Sequence, residues 1–124
     1  MNIETIELAR RALACKGWRW IPGMKAIVHG ESSTSWFRLE ESTQSLTGIW
    51  VTALPDLTDP ATLGCLLALV REAWVGYRVW IGWDGDGQNY ELGWWRDSDR
   101  AYPPHIWGTT EAMVLVLSLE AANA

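Results

Sequence analysis

The sequence is poor in the residues that build redox, metal and histidine-based sites. It contains two cysteines, Cys15 and Cys65, and two histidines, His29 and His105, among 124 residues. Neither histidine has another His, Cys or carboxylate at a spacing typical of metal ligands, so no zinc site is expected. Both cysteines fall in segments with helical patterns, where we expect reduced and mostly buried thiols.

Catalytic motifs are also missing. The sequence has no Gly-x-Ser-x-Gly nucleophile elbow, no Walker phosphate loop and no dinucleotide-binding glycine pattern. Asp84 and Asp86 resemble the start of a calcium loop, but the twelfth position from Asp84 is Trp95, where such a loop needs a bidentate glutamate. We therefore predict a protein that is not an enzyme and that uses no cofactor or metal.

The charge balance and the hydrophobic pattern exclude two further classes. No apolar run reaches the length of about 18 residues that spans a bilayer, and the N-terminus lacks the layout of a secretory signal. The net charge is −5, and the ten Lys and Arg residues are scattered, which argues against nonspecific nucleic-acid binding. We expect one soluble domain over residues 1–124, located in the cytoplasm, or in the host cytoplasm if the chain is phage-encoded.

Three segments have helical patterns. Residues 3–15 place apolar side chains at helical spacing and are followed by Gly17. From about 60 to 75, Asp59 can act as N-cap, Pro60 suits the first turn and Gly76 can end the helix. We expect this helix at the buried centre, with a sheet tryptophan close to Gly64. The last segment, 110–121, favours a helix, although its alternating apolar residues also fit a buried strand.

Short strands fill most of the remaining chain. Residues 18–28, 35–41 and 45–54 are rich in aromatic or β-branched residues and are separated by turn sequences. Together with the helices they predict an α+β fold, in which an antiparallel meander sheet is packed by the N-terminal, central and C-terminal helices.

The strongest hairpin signal is the stretch VWIGWDGDGQNYELGWW, residues 79–95, in which the Asp-Gly-Asp-Gly loop offers glycines for positive-φ positions. If Trp83 and Tyr90 flank the loop as partners, Trp83 and Trp94 belong to the packed side of the sheet. Period-two alternation then places Trp80 and Trp95 on the opposite face, with Arg78 and Glu91. A helix could cover this pair, or the pair could bind another molecule.

Two neighbouring features add candidate binding residues. Asp84 and Asp86 lie in the hairpin loop near Glu91 and could form a negative patch for a basic partner, or could simply be solvated turn residues. The segment 96–108 reads as a long loop that carries Tyr102, His105 and Trp107. Its prolines could hold the rings outward for recognition, or the rings could fold back onto the sheet.

Three stretches resemble a group of short uncharacterised proteins encoded by bacteriophages, prophages and proteobacterial genomes. They are LARRALACKGWRWIPGMKAI, LPDLTDPATLGCLLALVREAW and the closing TEAMVLVLSLEAA, which together cover nearly half of the chain. The resemblance implies a phage or mobile-element origin and a final helix. It implies no activity and no catalytic residues.

Three functions are compatible with these features. The first is a phage accessory protein that binds a host protein, for example an inhibitor of a defence system such as CRISPR. The second is a small-molecule binder that stacks a nucleotide base on Trp80, Trp95 or Trp107. The third is a homodimeric structural protein whose tryptophan surface closes the dimer.

Overall fold

The computed structural model describes residues 3–29, 33–40, 53–96 and 105–122. These residues form an α+β fold with a helix at each end of the described chain, as the sequence predicted. In chain order the elements are α1 (Ile3–Ala14), β1 (Lys25–His29), β2 (Thr34–Arg38), β3 (Leu54–Pro55), α2 (Pro60–Ala73), β4 (Tyr77–Asp84), β5 (Asn89–Arg96), β6 (Trp107–Gly108) and α3 (Glu111–Ala122). Within these ranges no helix is long and apolar enough to cross a membrane.

The strands form two antiparallel three-stranded sheets, whereas the sequence suggested one meander. The first sheet has the order β2-β1-β3, and the second is a true meander with the order β4-β5-β6. Helix α2 separates the two sheets in the chain, because it follows β3 and leads directly into β4. Residues 18–24, predicted as the start of a strand, form a turn-rich connection before β1, and most of the predicted strand 45–54 lies outside the described residues.

The carboxylate of Asp59 joins the start of α2 to the first sheet. As the N-cap, it accepts hydrogen bonds from the backbone N–H and the hydroxyl of Thr62 at 3.0 and 2.8 Å. It also accepts hydrogen bonds from the two terminal guanidinium nitrogens, Nη1 and Nη2, of Arg38 on β2. These hydrogen bonds, above all those from Arg38, lower the pKa of Asp59 to about 2. One side chain thus satisfies a free amide of the first helical turn and bonds the start of α2 to the first sheet.

The core lies between the helices and the inner face of the second sheet, and α3 is its most buried element. The apolar residues of α3 occur almost all round the helix, which explains the ambiguous pattern in its sequence. Its buried positions are Ala112, Val114, Leu115, Val116, Ser118 and Leu119. Helix α2 contributes Leu66, Leu69 and Val70 to the same core, but it is less buried than the sequence predicted, since it exposes Ala61, Gly64 and Ala68. At Gly64, no atom lies within 4 Å of the position of a Cβ, so the expected tryptophan neighbour is not there.

The end of α2 follows the sequence prediction. The backbone N–H of Trp74 caps the helix by donating to the carbonyl of Val70, and Gly76 has a φ of 91°. A residue with a side chain would be strained at this φ, so glycine permits the sharp change from helix to β4. Cys15 and Cys65 are free thiols that are partly buried, where the sequence predicted reduced and mostly buried thiols.

We predict that replacing Asp59 by alanine lowers the free energy of unfolding by about 1–2 kcal/mol, because the helix loses its cap. Urea unfolding followed by far-UV circular dichroism measures this change. Asp86→Ala, which removes a carboxylate from an exposed turn, is the matched control and should leave stability nearly unchanged. Equal effects of the two substitutions would contradict the role assigned to Asp59.

The same carboxylate predicts a pH dependence. Because folding lowers the pKa of Asp59, its stabilising effect is present above its unfolded pKa and is lost as the pH falls towards the folded pKa of about 2. Asp59→Asn keeps a capping acceptor but not the charge that binds Arg38. The stability difference between the natural protein and this variant should be constant above about pH 4 and shrink below it. A difference that stays constant down to pH 2 would contradict this assignment.

Candidate functional site

The outer face of the second sheet collects most of the binding residues predicted from the sequence. The pairing of β4 with β5 places Trp80 opposite Gly93 and Arg78 opposite Trp95, and Trp83 and Tyr90 flank the loop as expected. Strand β6 places Trp107 opposite Glu91, which puts all three rings on one side of the sheet. We call this surface the tryptophan face; its residues are Arg78, Trp80, Gly82, Glu91, Gly93, Trp95 and Trp107.

The three indoles of the tryptophan face are open to solvent. Trp80 is 47% exposed, Trp95 66% and Trp107 59%, because the helices pack against the opposite side of the sheet. The alternative in which α1 or α3 covers Trp80 and Trp95 is therefore wrong for the described structure. Since each ring stands opposite a smaller or charged residue and not another ring, the indoles spread over the sheet.

Glycine allows Trp80 to lie down on the sheet. A Cβ at Gly93 would meet Cε2 and Nε1 of Trp80 at 2.3 Å, so any side chain at Gly93 would displace the indole. At Gly82, beside Trp80 in the same strand, a Cβ would lie 3.9 Å from Nε1, an ordinary contact distance. Because Gly93 has no side chain, the Trp80 indole lies flat against strand β5.

Charged groups surround the rings at the loop end of the sheet. The His105 Nε2 lies 3.8 Å from a carboxylate oxygen of Glu91, and both side chains are substantially exposed. In the hairpin loop, Asp84 accepts hydrogen bonds from the backbone N–H groups of Asp86 and Gly87 at 3.1 and 3.3 Å. Asp86 points into solvent next to it. Asp84 therefore stabilises the turn, and the negative patch of Asp84, Asp86 and Glu91 stays a prediction.

The backbone conformation of the hairpin loop differs from the one that the sequence predicted. The positive φ falls on Gln88, at 53°, and neither Gly85 nor Gly87 has a positive φ. The four residues 85–88 form a turn longer than the tight glycine turn that was expected. The hydrogen bonds to Asp84 stabilise this longer loop, which is why an aspartate precedes it.

The structure confirms the predicted packing of Trp94 but not that of Trp83. Trp94 packs against the core, with its ring centroid 6.2 Å from that of Tyr77, as predicted. Trp83 was predicted to be packed as well, but it is 57% exposed and rests only on Tyr90, with centroids 4.7 Å apart. Tyr102 lies outside the described residues.

The structure adds surfaces that the sequence did not indicate. An apolar groove of about 870 Å³ lies beside β4, between Leu63 and Leu67 of α2, Ile81 and Tyr90 of the second sheet, and Leu115 of α3. A second, smaller groove of about 580 Å³ lies between α1 and the start of α3. On the first sheet, Trp36 is 60% exposed, with the Lys25 ammonium 4.8 Å from its ring centroid. Leu63 and Leu67 belong to the same apolar stripe of α2 as the buried Leu66 and Val70, so the sequence did not indicate that they line a groove.

The tryptophan face combines three exposed indoles with charged side chains. Within the described ranges, no group of three or more His, Cys, Asp or Glu side chains is placed to hold a metal ion. Flat indoles beside separated charges can bury a large apolar area on a partner while the charges select its orientation.

Comparison with protein-family models, with curated proteins and with solved structures finds no match for this chain. The resemblance to phage and prophage proteins therefore stays a prediction.

We predict that Gly93→Ala disturbs the tryptophan face and that Gly82→Ala does not. The methyl group at residue 93 would force the Trp80 indole off the sheet, and its contact with the opposite strand would be lost. Acrylamide quenching of tryptophan fluorescence should increase in Gly93→Ala, and urea unfolding should show the loss of stability. If Gly82→Ala behaves in the same way, the contact between Gly93 and Trp80 does not position the ring.

Proposed function

We propose that this chain is a non-enzymatic binding protein that holds another protein on its tryptophan face. The observation that carries the proposal is the presence of three indoles on one side of one sheet, each about half or more exposed. Exposed apolar clusters of this kind mark interaction sites, because leaving several large rings in water costs free energy that a partner recovers.

The shape of the tryptophan face favours a macromolecular partner over a small ligand. Small-molecule sites are concave and enclose most of the ligand. Here the rings spread across a sheet, and both large grooves are lined mainly by residues outside this face. Tryptophan and arginine are the residues most enriched among interface hot spots, and Arg78 lies directly opposite Trp95.

The charge around the tryptophan face favours a partner with basic groups. Asp84, Asp86 and Glu91 lie near its loop end, and the whole chain carries a net charge of −5. Lys or Arg side chains of a partner could pair with these carboxylates and stack on the indoles. The same negative charge disfavours the alternative of a nucleotide ligand, whose phosphates would be repelled.

We further propose, from the resemblance to phage and prophage proteins, that the partner is a protein of a bacterial host. A component of a defence system such as CRISPR is the target class we would test first. A nucleic-acid-binding surface on such a component would present the basic groups that an acidic binding face requires.

The test is a tagged pull-down from bacterial lysate with quantitative mass spectrometry, using the natural chain and Trp80→Ser/Trp95→Ser. Removing two hot spots of at least about 1.4 kcal/mol each should reduce the captured partner by tenfold or more. Trp36→Ser is the matched control, since Trp36 is 60% exposed but lies on the first sheet. Circular dichroism establishes that all variants are folded.

Two results would contradict the proposal. One is the capture of the same partner at the same level by Trp80→Ser/Trp95→Ser, which would place the binding surface elsewhere. The other is the absence of any stoichiometric partner together with a tryptophan fluorescence change on titration with nucleotides, which would favour the small-molecule alternative.

A further inference from the structure

We propose that the free edge of β4 pairs with β4 of a second copy of this chain. The two strands would run antiparallel about a twofold axis at Ile81, so that two three-stranded sheets join into one continuous sheet. This inference does not rest on the proposed function, because it concerns the edge of the sheet and not the rings of the tryptophan face.

Strand β4 has an edge that no described strand covers. It lies at the end of the second sheet, and β5 pairs with its other side. Opposite Ile81, the N–H of Leu92 donates to Ile106 at 2.9 Å, away from β4. In an antiparallel ladder, two directly opposite residues either bond to each other or both direct their N–H and C=O groups away from each other. Since Leu92 directs its N–H away from β4, Ile81 directs its own backbone groups away from β5. The backbone groups of Ile81 therefore point to the open edge.

The same alternation applies along the strand, so Val79 and Trp83 also direct their backbone groups outward. At Val79 the guanidinium of Arg71 donates to the outward carbonyl at 3.1 Å, which confirms this direction. A carbonyl oxygen has two lone pairs, so it can accept a second hydrogen bond from an added strand. At Ile81 and Trp83, no described residue is hydrogen-bonded to the open edge. Exposed edges of this kind readily template pairing with another strand.

The sequence of β4 is complementary to itself in this register. An antiparallel pairing centred on Ile81 places residue 78 opposite 84, 79 opposite 83 and 80 opposite 82. Arg78 then faces Asp84 of the second copy, and the symmetric pair repeats the contact. Trp80 stands opposite Gly82 of the second copy; because its indole lies over Gly93 of its own sheet and Gly82 has no side chain, nothing obstructs the pairing at this position. Charge and size are therefore complementary on the outer side.

The inner side of the pairing uses the groove beside β4. Side chains opposite each other across a sheet project to the same side, so Ile81 and Trp83 of the second copy would lie on the groove side of β4. Trp83 would lie opposite Val79, towards the groove walls formed by Leu63 and Leu67. At Gly64 in the same wall there is open space. The pairing therefore gives the 57% exposed Trp83 an apolar place to pack.

Pairing at this edge would also affect the tryptophan face. The outer sides of the two sheets would become one surface that carries two sets of three indoles. A binding partner with twofold symmetry, or one with two copies of the same motif, would then be held more tightly by avidity.

Sedimentation equilibrium over a concentration series up to high micromolar tests the pairing on the full chain. Four proteins are compared with the natural one: Arg78→Asp, Asp84→Arg, the double variant with both changes, and Asp86→Arg as the control. Each single swap places like charges opposite each other at two symmetric positions, and should weaken dimerisation by about tenfold. The double variant restores opposite charges and should return to within a few-fold of the natural protein.

Asp86→Arg makes the same charge change outside the paired strand and should leave dimerisation nearly unchanged. Circular dichroism and thermal unfolding show whether each variant is folded, and Trp83→Ala gives an uncharged second probe that should also weaken the dimer. A natural chain that stays monomeric at every concentration overturns the inference. A dimer that Arg78→Asp does not weaken overturns this register, because that variant keeps the Asp84 hydrogen bonds of the hairpin loop. A double variant that unfolds like the natural chain and still dimerises no better than the single variants also overturns it.

Discussion

The hydrogen-bonded junction at Asp59 is the constraint on which the arrangement of the two sheets depends. Its carboxylate holds both the amide end of α2 and the Arg38 guanidinium of the first sheet. At its other end, α2 passes through Gly76 directly into β4 and returns a hydrogen bond from Arg71 to Val79. Helix α2 is therefore bonded to the first sheet at its start and to the second sheet near its end, and this fixes the two sheets relative to each other. Because α3 packs on α2 and on the second sheet, the same junction also determines where the core closes.

The parts of the fold that follow from local rules could be predicted from the sequence. The N-cap, the first-turn proline and the positive-φ glycine of α2 are each set by the backbone at one position, and the structure confirms all three. The register of the β4–β5 hairpin is also local, because period-two alternation and one loop fix every pair in it. Trp80 and Trp95 were therefore assigned to the correct face.

The features that were predicted wrongly depend on distant parts of the chain. Whether α2 or α3 is central is decided by how the helices pack, since both have apolar residues over much of their circumference. A glycine at position 64 lowers the stability of a helix, which suggested a close neighbour. The structure has open space there, so no neighbouring group explains the glycine. Trp83 is exposed although it lies on the inner side of the sheet, because alternation predicts the side of a residue and not whether another element packs against it. The division into two sheets likewise depends on tertiary contacts.

The tryptophan face shows how local and long-range information combine in a binding surface. Alternation within one hairpin accounts for Trp80 and Trp95, but Trp107 joins them only because two residues of β6 pair with β5. That pairing aligns Trp107 with Glu91 and brings His105 near the same carboxylate. A short strand thus adds a third exposed ring to the two that the hairpin provides. Glycine at position 93 is the second requirement, because the Trp80 indole can lie on the sheet only where the opposite strand has no side chain.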